Sequence, residues 1–174
     1  MLDRMLIRTG GSADAAAIAA LHTASWRIAY AGIFPDKYLD GPVDADHATR
    51  WRTLLSEPVT AGVFVAEEDS TVVGFAYFRP TGHGRVLLDN LHAHPDAHGV
   101  GIGTGLIDSG LTWSAATYPD RPVYLEVLTA NTPAIKFYES RGWHRTGSGT
   151  VTFEAGFTVP QYEYTWQPGG VSGV

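Results

Sequence analysis

The chain has 174 residues, 44% of them apolar, with no cysteine and a formal net charge of −6. That length suits one domain able to bury roughly 70% of its unfolded surface in a single core, and the lack of cysteine excludes disulfides, thiolate metal sites and a cysteine nucleophile. The acidic balance argues against nucleic acid and towards cationic partners; no apolar run approaches the roughly 20 residues of a membrane span, and the start, Met1 to Met5, lacks the apolar core of a secretory signal, so the expected location is the cytoplasm.

Met5 to Arg8 reads as a first strand, and Gly10-Gly11 then breaks it before a helix, with Ser12 as the expected N-cap and Asp14 in the first turn. This helix runs through Trp26 to about Ala29. Residues Ala31 to Asp36 read as a loop, and a second helix covers Asp44 to Leu55, ended by Glu57-Pro58. The β-branched and aromatic runs Gly62 to Glu67 and Thr71 to Pro80, joined by Glu68-Asp69-Ser70, predict an antiparallel hairpin. Thr81 to Gly84 leads to a further strand, Val86 to Ala93. A helix from Gly101 to about Tyr118, a strand from Val123 to Val127, a short helix from Thr132 to Ser140 and late strands at Trp143 to Thr146 and Gln161 to Trp166 complete the pattern. Residues 1–167 are expected to form a single domain and 168–174 a disordered tail. Helices around a hairpin, then a strand–helix–strand–helix run, predict a layered domain of mixed α/β or α+β class.

The densest chemical signal is the segment His98, Gly99, Val100, Gly101, Ile102, Gly103, Thr104, Gly105, between a strand and a helix. Alternating glycines let the main chain approach a ligand, and the first helical turn offers unpaired N–H groups and the positive end of the dipole, so the turn suits phosphates. The dinucleotide pattern G-x-G-x-x-G fails on spacing, with Thr104 or Leu106 where its third glycine belongs. The P-loop pattern fails because no Gly-Lys-Ser/Thr closes the turn. What fits is Gln/Arg-x-x-Gly-x-Gly/Ala, with His98, Gly101 and Gly103 at its three positions. The segment from Leu125 to Trp143 adds a strand, Asn131, and a short helix carrying Ala134 and Tyr138 before a Gly-aromatic pair.

In these two motifs, their order and their spacing, the chain resembles the GNAT N-acetyltransferase superfamily, closely over residues 86–143 and loosely elsewhere. The resemblance implies the GNAT fold, a mixed and mostly antiparallel central sheet flanked by helices, whose strands splay to admit acyl-CoA. It implies acetyl-CoA as cosubstrate, no metal, and direct transfer to the primary amine of a small molecule or of a peptide amino terminus. The rival reading from another class is a non-catalytic acyl-CoA-binding sensor, which would bind the cofactor without turnover.

Acyl transfer needs a polarised carbonyl, a proton for the departing thiolate and a neutral amine. Carried over by motif, the carbonyl falls to main-chain N–H groups at Leu91, His92 and Ala93, and the proton to Tyr138, whose alternative is a core tyrosine. Asn131 would contact the pantetheine arm or cap the helix after it, or do both. Glu126, five residues before Asn131, is the preferred base; Asp89 is the alternative, and desolvation makes water sufficient in principle. His98 departs from the family's Gln or Arg, which makes phosphate binding sensitive to pH, and Arg85 would supplement its charge only if the loop folds back. His92 and His94, with His98 nearby, mimic a metal site, but no matching carboxylate or cysteine accompanies them. Trp26 and Tyr30, one helical step apart, with Phe34 beyond, form either an acceptor wall or a core stripe; Glu154, Phe157 and Tyr162 would form the opposite wall. Pairing of the late strands would give a homodimer.

Overall fold

A computed structural model describes residues 5–56, 61–97 and 101–166. Seven strands form one sheet: β1 (Leu6–Thr9), β2 (Gly62–Glu68), β3 (Thr71–Pro80), β4 (Val86–Ala93), β5 (Val123–Leu128), β6 (His144–Thr152) and β7 (Thr158–Trp166). Their spatial order is β1-β2-β3-β4-β5-β7-β6, and every pairing is antiparallel except β4 with β5. The helices are α1 (Ala15–Ala29), α2 (Asp36–Leu39), α3 (Val43–Leu54), α4 (Ile102–Thr117) and α5 (Thr132–Glu139). This is the layered, mostly antiparallel arrangement expected from the sequence.

Strand β3 shows why its sequence is apolar without interruption. Its alternating side chains serve two cores: Phe75 and Tyr77 pack with Ile18, Leu21 and Trp51 from α1 and α3, while Ala76 and Phe78 pack with Leu106 and Ile107 from α4. A strand covered on both faces has no polar side to alternate. Helix α4 lies so close to the sheet that a Cβ at Gly110 would overlap the Phe78 ring. Gly110→Ala therefore costs about 1–3 kcal/mol by overpacking, read as a lower midpoint in thermal or urea unfolding; an unchanged midpoint would refute the close packing.

The opening that matters lies between β4 and β5. They pair only at Val86↔Val123, Leu87↔Tyr124 and Leu88↔Leu125. Beyond these, β4 stays with β3 as far as Gly74↔Ala93, and β5 stays with β7 as far as Leu128↔Gln161. The register of β4 against β3 skips Asp89, since Tyr77 faces Asn90 and Phe78 faces Leu88. A bulge bends its strand, and this one falls where β4 leaves β5. The wedge keeps the facing edges of both strands without a strand partner.

Three local expectations change. Ser12 opens a short 3-10 turn, Ser12–Asp14, before α1, and the carboxylate of Asp14 closes it, accepting from the Gly11 N–H at 2.9 Å and from the Arg8 guanidinium at 2.8 and 3.1 Å. The stretch read as a loop leads into α2, a single turn too short to display a period. The late strands extend well beyond Trp143 to Thr146 and Gln161 to Trp166. They pair from His144↔Thr165 to Thr152↔Thr158, and hydroxyl contacts of 2.8 Å between Thr146 and Thr165 and between Thr152 and Thr158 reinforce the ladder. The expected terminal tail lies outside the described residues. Among the described residues no helix is long and apolar enough to cross a membrane.

Candidate active site

Two adjacent cavities with shared lining residues lie at the wedge. The smaller, about 180 Å³, is lined by Ser25, Leu91, His92, Ala93, Asn131 and Tyr138 among others; the larger, about 630 Å³, opens between α1, α3 and the β6–β7 hairpin. Tyr30, Leu88, Asp89, Asn90 and Glu126 line both, so they mark the junction. Glu126 is the one exposed position in a strand otherwise buried along its length, and this side chain stands where the cavities meet.

Helix α5 brings two polar groups to the smaller cavity. The Asn131 Oδ1 caps the helix by accepting from the Ala134 N–H at 3.4 Å, and its side chain also hydrogen-bonds to Tyr30. The cap role read from the sequence is present. Tyr138 is 8% exposed and packs edge-on against Phe137 and Trp143. Burial, then the neighbouring Tyr30, push its phenol well above the usual tyrosine range, so it stays protonated.

Asp89, the alternative base, has its Oδ2 committed to two guanidinium groups, Arg50 at 3.1 Å and Arg79 at 3.0 Å. A carboxylate so held is poorly placed to take a proton from an amine.

At the start of α4, Gly101 adopts φ +100°, a conformation that side chains rarely enter. Gly103 lies under Phe137, which a Cβ there would meet at 2.9 Å. Ile102 is buried in the core, and Thr104 accepts from the Arg141 Nε and Nη2 at 2.8 and 2.6 Å while the guanidinium stacks on Phe137 at 3.8 Å. Arg141 thus supplies a cation beside the glycine turn that the sequence reading missed; its spacing of four residues from Phe137 at the end of α5 was the available signal. His98, Gly99 and Val100 lie outside the described residues. Arg85 is engaged elsewhere, with Glu163 at 3.1 Å and stacked on Tyr124 at 3.7 Å.

Trp26, Tyr30 and Phe34 form one continuous wall of the larger cavity, with ring centroids 4.6–5.4 Å apart. Opposite, Phe153 and Glu154 line it, while Phe157 stacks behind Phe153 at 4.9 Å. Tyr162 is not part of this wall: it belongs to the core on the other face of the sheet and lies under Arg145.

A histidine group drawn from three elements completes the floor. His22 and His47 stack at 3.6 Å with 5° between their planes, and His92 lies 4.7 Å from His22. The Trp51 Nε1–H donates to the His22 Nδ1 at 3.0 Å; because tryptophan only donates, that nitrogen is unprotonated and the neutral ring carries its proton on Nε2. His47 and His92 share hydrogen bonds of 2.9 Å with Thr23 and Ser25. Burial lowers all three, His22 strongly, His47 to about 4 and His92 to about 3. His94 belongs to a separate turn, where its Nδ1 accepts from the Asp96 N–H. Among the described residues no group of three His, Asp or Glu side chains is arranged to hold a metal.

Residues 21–143 match the model of the acetyltransferase (GNAT) family. A mycothiol acetyltransferase from Acidothermus cellulolyticus is 33% identical over a region covering 56% of this chain and 34% of that protein, so the chain spans about a third of this curated relative's length. Among solved structures, the PaiA N-acetyltransferase of Thermoplasma acidophilum, in complex with coenzyme A, superposes with a TM-score of 0.78 at 17% identity, covering 95% of this chain and 99% of that one. YncA of Salmonella typhimurium, with its cofactor acetyl-CoA, gives 0.67 at 23% identity, with 97% and 96% covered. At these identities the structures share a fold with this chain.

Proposed function

Because the chain belongs to the GNAT acetyltransferase family, we propose that it moves an acetyl group from acetyl-CoA directly to a primary amine, and that the amine belongs to a small molecule. One observation carries this reading: an acid-bearing junction, at Glu126, joins a narrow chamber ending at Tyr138 to a wider aromatic cavity. A cavity of about 630 Å³ is of small-molecule size.

In this reading the acyl arm enters the wedge, with the pyrophosphate at Gly101–Thr104 on the N-terminal end of α4 and Arg141 beside it. Asn131 holds the pantetheine arm. The free edge of β4 at Leu91–Ala93 points N–H groups at the thioester carbonyl, where they stabilise the charge that develops on its oxygen. The amine comes through the aromatic cavity and gives a proton to Glu126, directly or through water. Its nitrogen then forms the C–N bond, the C–S bond breaks as Tyr138 donates its proton to the departing sulfur, and the proton shed by the new amide nitrogen restores the phenol through water. Without a cysteine, no cysteinyl acyl-enzyme intervenes.

The test is amine-dependent release of CoA thiol from acetyl-CoA, run beside the thermal shift that CoA produces. Gly101→Val puts a β-branched residue at a positive φ and a side chain where the pyrophosphate would lie. It is expected to abolish the CoA shift while circular dichroism still reports a folded protein. An undiminished shift would move the cofactor elsewhere, and a wild-type protein that binds acetyl-CoA yet releases no thiol with any amine would be a sensor rather than an enzyme.

A further inference from the structure

Within the aromatic wall, Tyr30 differs from its neighbours. Trp26, Phe34 and Phe153 line the larger cavity, whereas Tyr30 lines that cavity and also the smaller one, beside Asn131 and Tyr138. The main chain fixes its place. At the end of α1 its N–H donates to the Trp26 carbonyl at 2.9 Å, and its own carbonyl accepts from the N–H groups of Ile33 and Phe34 at 3.0 and 2.9 Å. Its ring packs between Trp26 and Phe34, with centroids 5.4 and 4.6 Å away.

Two observations put the hydroxyl of that ring at the smaller cavity. It is hydrogen-bonded to the Asn131 side chain, and it lies near enough to Tyr138 to push the second phenol up. Asn131 has one bond within its own helix, from the Ala134 N–H to its Oδ1, and at 3.4 Å that cap is long and holds the amide loosely. With Oδ1 turned to the cap, Nδ2 points the other way and donates to the phenol oxygen. The direction fits: the bond opposes the rise that burial gives the Tyr30 hydroxyl, as a donor to a phenol oxygen does. An amide nitrogen carries two N–H groups. One goes to Tyr30, so a residue of α1 sets where the other points.

Resting on the acetyl-transfer reading, we propose that Tyr30 is a positioning residue: its hydroxyl holds the Asn131 amide so that the second Nδ2–H meets a carbonyl of the pantetheine arm, while its ring bounds the space that the amine occupies. One side chain thereby refers the arm and the amine to each other, at the junction where Glu126 also stands. Without the hydroxyl, Asn131 keeps only its long cap bond and the arm is free to turn, which weakens CoA and misplaces the thioester. The nucleotide end, held at the start of α4, does not feel the change.

The experiment measures calorimetric binding of CoA and of its phospho-ADP end, which lacks the pantetheine arm, and steady-state thiol release from acetyl-CoA, in Tyr30→Phe, Asn131→Ala and the two combined. Binding of phospho-ADP also shows that each variant is folded. Tyr30→Phe keeps the ring, so it is expected to weaken CoA about fivefold, the worth of one hydrogen bond, and to raise the KM for acetyl-CoA. Its KM for the amine should stay within about twofold, and phospho-ADP should bind as before. In the Asn131→Ala background the same change should weaken CoA no further, because the hydroxyl acts through that amide. Tyr30→Leu, which removes the aromatic ring as well, should raise the amine KM. A CoA affinity unmoved by Tyr30→Phe, an equal loss for CoA and phospho-ADP, full additivity with Asn131→Ala, or an amine KM unmoved by Tyr30→Leu would overturn the proposal. The expected calorimetric pattern with no thiol release from any amine would keep the hold on the arm and remove the acetyl transfer; thiol release with CoA affinity unmoved by Tyr30→Phe would do the reverse.

Discussion

Tyr138→Phe is expected to lower kcat by about 10²- to 10⁴-fold while the KM for acetyl-CoA stays within about twofold. The phenol stands in the smaller cavity, opposite the free edge of β4, and burial keeps it protonated. A buried hydroxyl that strong in holding its proton contributes little to binding a neutral thioester, and most where negative charge grows on sulfur. The same desolvation raises the sulfur's affinity for a proton, so the donor and the leaving group are perturbed in the same direction. Phenylalanine keeps the ring contacts with Phe137 and Trp143, which separates loss of the hydroxyl from loss of packing. The measurement is steady-state kinetics with a saturating amine, beside an unfolding curve. A variant with wild-type kcat would reduce Tyr138 to a core aromatic; a raised KM with unchanged kcat would assign the hydroxyl to binding.

What could be read from the sequence was local chemistry. The glycine turn declares itself because a strand must hand over to a helix with a residue at positive φ, and Gly101 is that residue. Asn131 declares itself because a cap followed by Thr132-Pro133 is a short-range signal. The two motifs therefore gave the order of β4, α4, β5 and α5, and with it the wedge. Contacts made across long stretches of chain leave no such mark. Asp89 stood as the alternative base to Glu126, and nothing in its local sequence shows that Arg50, 39 residues away, and Arg79 hold its carboxylate. The β6–β7 ladder is carried by backbone pairing and threonine hydroxyls along a mostly exposed strand, so it has no apolar period to detect. Tyr162 was placed in the acceptor wall by its strand, whereas the period-2 alternation of β7 sets it beside Val127 on the opposite face. His22, His47 and His92 come from α1, α3 and β4, and only the packing of two helices on one sheet face unites them.

That histidine group makes acid the condition to which the protein is most sensitive. All three rings are held neutral, His47 at about 4 and His92 at about 3, against an unfolded value of about 6.5. Between those values the unfolded chain binds more protons than the folded one, so the contribution is fully present above pH 6.5 and is lost as pH falls towards 4. Burial is the main cause in each case. For His47 the facing charges Arg50 and Arg27 add to it, against Asp46 and Asp44; for His22 the neighbouring histidines and Arg50 add to it. Geometry points the same way. A protonated His22 would turn the Trp51 hydrogen bond into two donors facing each other, and a charge on either member of a 3.6 Å stack opposes a charge on the other. By pH 5 the linkage amounts to about 2 kcal/mol for His47 or His92 taken singly, against a typical total of about 5–15 kcal/mol for a domain. Urea unfolding at a series of pH values should show stability falling steeply from pH 6.5 to 5, with His47→Gln flattening the slope. Acceptor turnover should fall over the same range, because His22 and His47 form the floor of the larger cavity. A stability that stays level from pH 7 to 5, or a His47→Gln variant with the wild-type slope, would mean that these imidazoles are not held neutral by the fold.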